Sequence, residues 1–349
     1  MIEVLRVWYN RHFSDPQAVI LALMLIFGFA LIAFMGNVLT PVIAAVVIAY
    51  VLEGVVRRLC NFKVPHVLAV SLVVVSFVVT LLILMLGLSP LISKQLTQFF
   101  LEVPGMLTQG QNLLISLPKE YPFISETQIQ DIVSHINTEL ASVGQLVVSR
   151  SLSSVVNLFT VLVYMVVVPL LVFFFLKDKD SILNWLSRFL PKEDGLATKV
   201  WRDVDKKIGS YIRGKLFEVG VVGIATYIPL KIFDLQYAAL LSLFVGLSVI
   251  IPYVGAVAVT IPVALIAYFQ FGMGSEFFYI MLAYLIIQFL DGNLLVPLLF
   301  SEVVNMHPSA IIMSVLVFGG LWGIWGVFFA IPLATLIQAV INAWPEVTA

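Results

Sequence analysis

One acidic side chain stands in a stretch that otherwise has the composition of a lipid-facing helix. The segment "FLDGNLLVPLLF", residues 289–300, contains Asp291, followed by Gly292 and Asn293 and then by Pro297. A carboxylate near the centre of a bilayer costs about 2.5–3.5 kcal/mol on insertion scales, so it persists where it faces water or the protein interior. We therefore expect Asp291 to bind a polar solute or a cation.

The residues around Asp291 can complete such a site. Helical spacing puts Tyr284, Gln288 and Asp291 on one face, which lets Gln288 donate a hydrogen bond to the carboxylate. Gly292 and Asn293 favour partial unwinding, which is tolerated at this depth only where the backbone lines a cavity or is buried in protein. The alternative is that Asp291 caps a half-helix starting at Gly292.

Two glycine- and proline-broken passages resemble each other. They are "IPYVGAVAVTIPVALIAY" (251–268) and "LWGIWGVFFAIPLATLIQA" (321–339), and each interrupts an apolar, uncharged stretch. Such segments at matching places in two halves point to a transporter's substrate site. The predicted binding residues are Asp291, Gln288, Asn293 and Tyr253, and the predicted hinge residues are Pro252, Gly255, Pro262, Gly292, Pro297, Gly323, Gly326 and Pro332.

Composition indicates an integral membrane protein. Of 349 residues, 61% are hydrophobic and 11% are charged, whereas soluble domains are about half apolar and a quarter charged. The net charge of -1 does not favour a nucleic-acid partner. One cysteine, four scattered histidines and no nucleotide-binding or catalytic motif predict no metal, no cofactor and no enzyme activity.

The distribution of lysine and arginine predicts which side of the membrane each loop faces, because short cytoplasmic loops are enriched in both. Arg6 and Arg11, the 57–66 loop and the basic segment 177–215 are predicted to be cytoplasmic, and 91–150 lies outside. Apolar runs predict spans at 17–35, 38–56, 67–90, 151–176, 215–233 and 277–299. A tight turn at "MGNVLTP" (35–41) joins the first two, and both termini are then cytoplasmic.

These observations divide the chain into five parts. Residues 1–90 form three membrane helices and 91–150 an extracytoplasmic amphipathic insertion, with helix breaks at Pro104–Gly105, Pro118 and Pro122. The insertion packs on the membrane domain or a neighbouring subunit, or is a solvated cap. Residues 151–176 form a fourth membrane helix. Residues 177–215 form two amphipathic helices, broken at Pro191 and suited to a lipid surface. Residues 216–349 form the transport core.

The predicted fold is an all-α polytopic membrane protein with seven to eight transmembrane segments. Each half of the core is one span plus one broken hairpin, and counting crossings gives the halves opposite orientations. The hairpins are either re-entrant, which makes an inverted repeat, or ordinary pairs of tilted spans. Trp322 and Trp325 stack on a ligand or anchor a helix interface.

The motifs "IPYVGAVAVTIPV", "DGNLLVPLLF", "HPSAII" and "FGGLWGIWGVFFAIPLATLI" together resemble the autoinducer-2 exporter (AI-2E) family of bacterial membrane proteins. "RHFSDPQA" and "VFFFLKDKD" resemble its PerM-type permease branch. The resemblance covers essentially the whole chain. It implies an inner-membrane permease that forms homo-oligomers, pentamers in particular. Relatives are linked to export of autoinducer-2 or to sodium–proton exchange.

The predicted function is a gradient-driven secondary transporter or exporter of a small polar solute or ion, with its site near Asp291 between the hairpins. Three alternatives stay open at this point: a passive channel, a cation/proton antiporter, and a membrane scaffold without transport.

Overall fold

The computed structural model describes residues 16–120, 127, 129, 134, 154–188, 196–300 and 306–343, and every regular element within these ranges is helical. In chain order they are α1 (Pro16–Asn61), α2 (His66–Glu120), α3 (Ser154–Lys177), α4 (Lys179–Ser187), α5 (Leu196–Ile232), α6 (Ala238–Ser248), α7 (Val254–Phe271), α8 (Ser275–Leu290), a π-helical turn (Asp291–Leu295), α9 (Val296–Phe300) and α10 (Pro308–Ala343).

Several helices have the length and composition of membrane spans. Two shorter apolar helices, Val163–Lys177 and Ala238–Ser248, accompany the longer ones. Within the described ranges, the predicted all-helical class with membrane-length helices is confirmed. Five stretches are long and apolar enough to cross a bilayer: Val38–Asn61, His66–Ser116, Val254–Phe271, Ser275–Phe300 and Pro308–Ile341.

The predicted turn at residues 35–41 is wrong. Helix α1 runs without a break from Pro16 to Asn61 and includes Pro41. A proline inside a helix removes one backbone hydrogen bond and clashes with the preceding turn, and here the apolar helix continues through it. The predicted spans 17–35 and 38–56 therefore belong to one helix. The predicted cytoplasmic N-terminus relied on that turn and loses this support, and residues 1–15 lie outside the described ranges.

Contacts between residues divide the chain into two compact units, Met1–Thr80 with Val168–Ala349, and Leu81–Val167. In the second unit, helix α2 continues through Pro104 to Glu120, so the predicted breaks at Pro104–Gly105 and Pro118 are absent. The Thr108 hydroxyl donates to the Pro104 carbonyl at 2.9 Å. Pro122 and most of the amphipathic segment 126–148 lie outside the described residues, as does Pro191.

In the first unit, small and branched residues of three helices form one apolar core. Alanines of α1 allow close approach of the helices, since small residues are typical of membrane helix interfaces. The core residues are Ala45, Ala49, Val56, Ala69, Val70, Val73, Val74, Val172 and Leu176. At the end of α1, Glu53 pairs with Arg57 at 2.7 Å and with Lys179 of α4, so the ends of α1 and α3 lie together.

The chain reverses direction at both broken passages. A Cβ placed on Gly255 would overlap the Ser248 carbonyl oxygen, and a Cβ placed on Gly326 would overlap that of Phe318. Residues eight apart in a straight helix are about 12 Å from each other, so Gly323, with φ 61° and ψ -139°, bends α10 into a hairpin. In the first hairpin, formed by α6 and α7, Tyr253 has φ 60° at the bend.

Helix α5 packs against the hairpins and positions the site. Gly223 and Gly246 meet where α5 crosses α6: a Cβ on Gly246 would lie 2.8 Å from the Val219 carbonyl oxygen and 3.1 Å from Gly223 Cα. Earlier in α5, Tyr211 is buried and its hydroxyl donates to the Phe328 carbonyl of α10 at 3.0 Å. These contacts hold one face of α5 against both hairpins.

Candidate functional site

Asp291 lies at the start of a π-helical turn, not in an unwound segment. Its own backbone is helical, with φ -59° and ψ -58°, so it does not end one helix and cap another. In α-helical geometry the ring of Pro297 would clash with the Asn293 carbonyl, and the wider π turn lies just before that proline. π turns are often found at functional sites. The structure therefore has a π turn where the sequence predicted an unwound segment or a half-helix capped by Asp291.

A cavity of about 750 Å³ opens beside Asp291. Its walls come from four parts of the chain: one face of α5, the bend between α6 and α7, the segment from α8 to α9, and both arms of the hairpin in α10. The lining residues are Tyr211, Lys215, Glu218, Val249, Ile251, Pro252, Tyr253, Ala256, Val257, Gln288, Asp291, Gly292, Val296, Pro297, Phe300, Met306, Pro308, Ile311 and Ile331.

A buried ion pair forms one wall of this cavity. Lys215 Nζ lies 2.8 Å from Glu218 Oε2, and the two side chains are 5% and 2% exposed. The same ammonium lies 5.3 Å from the centre of the Phe300 ring, within the range of a cation–π contact. Lys215 also attracts the Asp291 carboxylate, and Asp291 repels Glu218. Three charged groups therefore share one site, two negative and one positive.

Two polar atoms in the cavity wall have no hydrogen-bond partner among the described residues. They are Asp291 Oδ1 and Gln288 Nε2, and both are buried. The predicted hydrogen bond from Gln288 to Asp291 is therefore absent. Buried polar groups in native proteins are nearly always paired, so an unpaired acceptor next to an unpaired donor needs an explanation. A solute group that donates a hydrogen bond would satisfy Asp291 Oδ1, whereas Gln288 Nε2 needs an acceptor, which a water molecule can also supply.

The structure brings together three of the four predicted binding residues. Asp291, Gln288 and Tyr253 line the cavity. Asn293 is exposed, and its amide donates to the Phe289 carbonyl at 2.9 Å, so it supports the π turn instead of facing the cavity. Tyr284, predicted on the same helical face as Asp291, is buried against α7, where its hydroxyl lies 3.0 Å from Thr260 Oγ1.

The predicted hinge residues fall into three groups. Three of them line the cavity: Pro252, Gly292 and Pro297. A fourth, Gly255, lies next to the cavity wall at the tightest point of the first hairpin. Those of the second hairpin lie in α10, with Gly323 and Gly326 at its bend and Pro332 in its second arm. Pro262 lies inside α7. Trp322 and Trp325 both stack on Phe329, which favours the interface role over ligand stacking.

The residues predicted from the sequence to form the site do not include the ion pair of Lys215 and Glu218, which is buried in the cavity wall. A signal was present: Tyr211, Lys215 and Glu218 follow one another at four and three residues, so all three share one face of a helix. An apolar segment that places a lysine and a glutamate on the face of a tyrosine predicts a buried polar stripe.

A second, smaller cavity of about 360 Å³ lies between the arms of the hairpin in α10. Its polar residues are His307, Ser314 and Gln338, and Met306 lines both this cavity and the larger one. Met306 is thus the described side chain that the two spaces share.

Comparison with known proteins identifies the family of this chain. The AI-2E family transporter model matches residues 21–346. A protein of Escherichia coli K12 named permease PerM is 49% identical over 347 residues, which is 99% of this chain and 98% of that protein. The Bacillus subtilis 168 transport protein YueF is 28% identical over 317 residues, covering 88% and 84% of the two chains.

A more distant relative carries a substrate in its name. The AI-2 transport protein TqsA of Escherichia coli K12 is 24% identical over 336 residues, covering 93% of this chain and 92% of TqsA. The family model describes transporters, which confirms that the chain is not an enzyme and that it is a multi-pass membrane protein related to bacterial permeases. The chain belongs to the AI-2E family of transporters.

Proposed function

We propose that this chain is an inner-membrane permease that moves a small polar solute, driven by a gradient, through the cavity beside Asp291. The observation that carries the proposal is a buried carboxylate oxygen, in a cavity of about 750 Å³, that has no hydrogen-bond partner in the part of the chain that the structure describes. The walls of that cavity come from both hairpins and from α5. Ionisable residues inside a membrane usually mark a substrate or ion pathway.

The proposed transport core is an inverted repeat. One unit is the membrane part of α5 followed by the α6–α7 hairpin, and the other is α8 to α9 followed by the α10 hairpin. Each hairpin has a residue with positive φ at its bend and, two or three residues later, a glycine packed on a carbonyl of the preceding arm. Helix α6 has 11 residues, about 16 Å in length, which supports a re-entrant first hairpin because a full crossing needs about 20 residues.

The proposed topology has seven membrane segments, with α1 counted once and each hairpin counted as one segment. The 57–66 loop and the basic segment 177–215 face the cytoplasm. The contact between Glu53 and Lys179 supports this, because it puts the two basic segments on the same side. Counting crossings from there brings the C-terminus to the cytoplasm.

The proposed solute path continues from the larger cavity past Met306 into the smaller one between the arms of α10. Met306 lines both spaces, so a change in its rotamer alters the width of the connection. The polar lining of the smaller cavity, from His307, Ser314 and Gln338, suits a solute that has left the Asp291 site. We also propose that the chain forms a homo-oligomer and that the segment 177–215 contacts the lipid surface.

The name of TqsA makes autoinducer-2 one candidate solute. TqsA is 24% identical to this chain, so its name does not identify the solute of this chain. The experiment therefore uses no chosen solute. Inside-out vesicles with and without the full chain are loaded with a cell metabolite extract under an imposed proton gradient, and their contents are compared without targeting. We expect at least one small polar solute to differ. Identical contents would contradict a permease.

A further inference from the structure

We propose that the solute is an organic compound with a single ammonium group and an apolar body, bound by Asp291. This inference rests on the proposed function, since it assigns a ligand class to the same cavity. Three observations carry it: an ammonium already held in the cavity wall, the charges around it, and the apolar composition of the remaining wall.

The side chain of Lys215 shows what the cavity accommodates. Its ammonium lies between a carboxylate, Glu218 at 2.8 Å, and an aromatic ring, Phe300 at 5.3 Å from the ring centre. Asp291 is a second carboxylate in the same cavity, and its Oδ1 has no partner among the described residues. The aromatic rings of Tyr211 and Tyr253 also line the space. A ligand ammonium at Asp291 would repeat the environment of Lys215.

The charges of the cavity select for a single positive charge. Among the described residues that line it, the charged side chains are Lys215, Glu218 and Asp291, one positive and two negative. Lys215 and Glu218 balance each other, so one negative charge is left at Asp291. A monocation makes the site neutral, whereas an anion adds repulsion and a dication leaves an excess charge. Uncompensated charge in a dry interior is costly.

The walls favour an organic cation over a bare metal ion. Hard cations such as Ca²⁺ and Mg²⁺ take about six oxygen ligands or more. In the described ranges no three His, Cys, Asp or Glu side chains come together in a metal-binding group. Oε2 of Glu218 already binds the ammonium of Lys215. Most of the other wall residues are apolar, among them Val257, Val296 and Ile311. Such walls gain by contacting a hydrocarbon body.

The test compares three compounds of similar shape that differ in charge: 2-phenylethylammonium, 2-phenylethanol and 3-phenylpropionate. Each is titrated into the purified full chain in detergent. Binding is followed by the midpoint of thermal unfolding, read from the fluorescence of the six tryptophans, and by equilibrium dialysis with labelled compound. We expect saturable binding and a raised midpoint for the ammonium compound alone. Equal binding of the alcohol or the acid, or no binding of the ammonium compound, would overturn the proposal.

Variants locate the binding. Asp291→Asn should weaken binding of 2-phenylethylammonium at least about tenfold, equivalent to about 1.4 kcal/mol. Glu276→Gln removes an exposed carboxylate from the same helix, α8, and should bind as the unmodified chain does. Asp291→Glu keeps the negative charge and should keep the preference for the ammonium compound. If Asp291→Asn does not fold, loss of that preference in Asp291→Glu would contradict the assignment. Unchanged binding by Asp291→Asn would overturn the assignment.

The two proposals fail separately. If vesicles containing the chain transport a solute but the chain does not bind the ammonium probe, the permease proposal is supported and the proposed ligand class is contradicted. If the chain binds the probe and the vesicles show no solute difference, the proposed ligand class is supported and the permease proposal is contradicted.

Discussion

The ammonium of Lys215 lies 2.8 Å from the Glu218 carboxylate, with both side chains almost fully buried, on the face of α5 that lines the cavity beside Asp291. A pair in this position is more than a surface salt bridge, because neither charge can turn to water. It fixes the positive charge next to Asp291 and so determines the net charge that a solute meets.

Removing one partner of this pair should destabilise the protein strongly. Lys215→Met leaves the Glu218 carboxylate buried without a cation, and breaking a buried pair in this way costs about 3–5 kcal/mol. The free energy of unfolding, measured by titration of mixed micelles with a denaturing detergent, should fall by that amount. The double variant Lys215→Met/Glu218→Leu should recover most of the loss, because it removes both charges.

The chain contains a matched control for this prediction. Lys231 and Asp234 also pair three residues apart, at 3.0 Å, but their side chains are 62% and 83% exposed. Exposed pairs contribute about 0–1 kcal/mol, so Lys231→Met should have little effect on unfolding. If both lysine variants had the same small effect, Lys215 and Glu218 would not form a buried pair in the membrane protein.

The two hairpin glycines should be intolerant of any side chain. Gly255→Ala and Gly326→Ala each put a methyl group on a backbone carbonyl oxygen, of Ser248 and Phe318 respectively. Overpacking of this kind typically costs about 1–3 kcal/mol, and we expect each variant to unfold more readily in the same detergent titration. Gly220→Ala in α5 meets no atom within 4 Å and should be neutral or stabilising. Equal behaviour of all three would contradict the two tight bends.

The sequence predicted the hairpins well because their cause is local. In "IPYVGAV" a proline and a glycine stand three residues apart, and both weaken a helix, so the tendency to break is encoded within a few residues. The same local reasoning failed at Pro41, where "MGNVLTP" has turn-forming residues but α1 continues. Local signals identified where a helix can break, and packing decided whether it does.

The ion pair could not be predicted in the same way, because its burial depends on residues far along the chain. Lys215 ends the basic segment 177–215, which the sequence predicts to lie at a lipid surface. The burial of Lys215 and Glu218 is caused by Phe300 and by the first hairpin, which are distant in sequence. Likewise, the exposed position of Asn293 accompanies the π turn, whose wider geometry changes the facing of the side chains within and after it.

The proposed topology predicts which residues a reagent reaches from each side. In a Cys60→Ser background, Arg58→Cys and Asp180→Cys should react with a membrane-impermeant thiol reagent only from the cytoplasmic side, because the two basic segments lie together there. Ser275→Cys, at the start of α8, should react only from the outside. Labelling is compared in right-side-out and inside-out vesicles. Reaction of Arg58→Cys and Asp180→Cys from opposite sides would contradict the topology.

The proposed path predicts that Met306 controls passage between the two cavities. Met306→Trp fills the connection and should reduce the solute difference between vesicles with and without protein to near zero, while the protein remains folded by its unfolding midpoint. Met306→Leu conserves volume, which cores tolerate with small changes, and should transport nearly as the unmodified chain does. Full transport by the tryptophan variant would show that solute does not pass this residue.

The central claim is that solute crosses the membrane through the cavity at Asp291. The most direct test repeats the untargeted vesicle comparison with Asp291→Asn and with Glu276→Gln, each reconstituted at equal amounts and confirmed as folded. The account predicts that vesicles with Asp291→Asn have the same contents as vesicles without protein, and that Glu276→Gln reproduces the unmodified chain. A full solute difference with Asp291→Asn would contradict it.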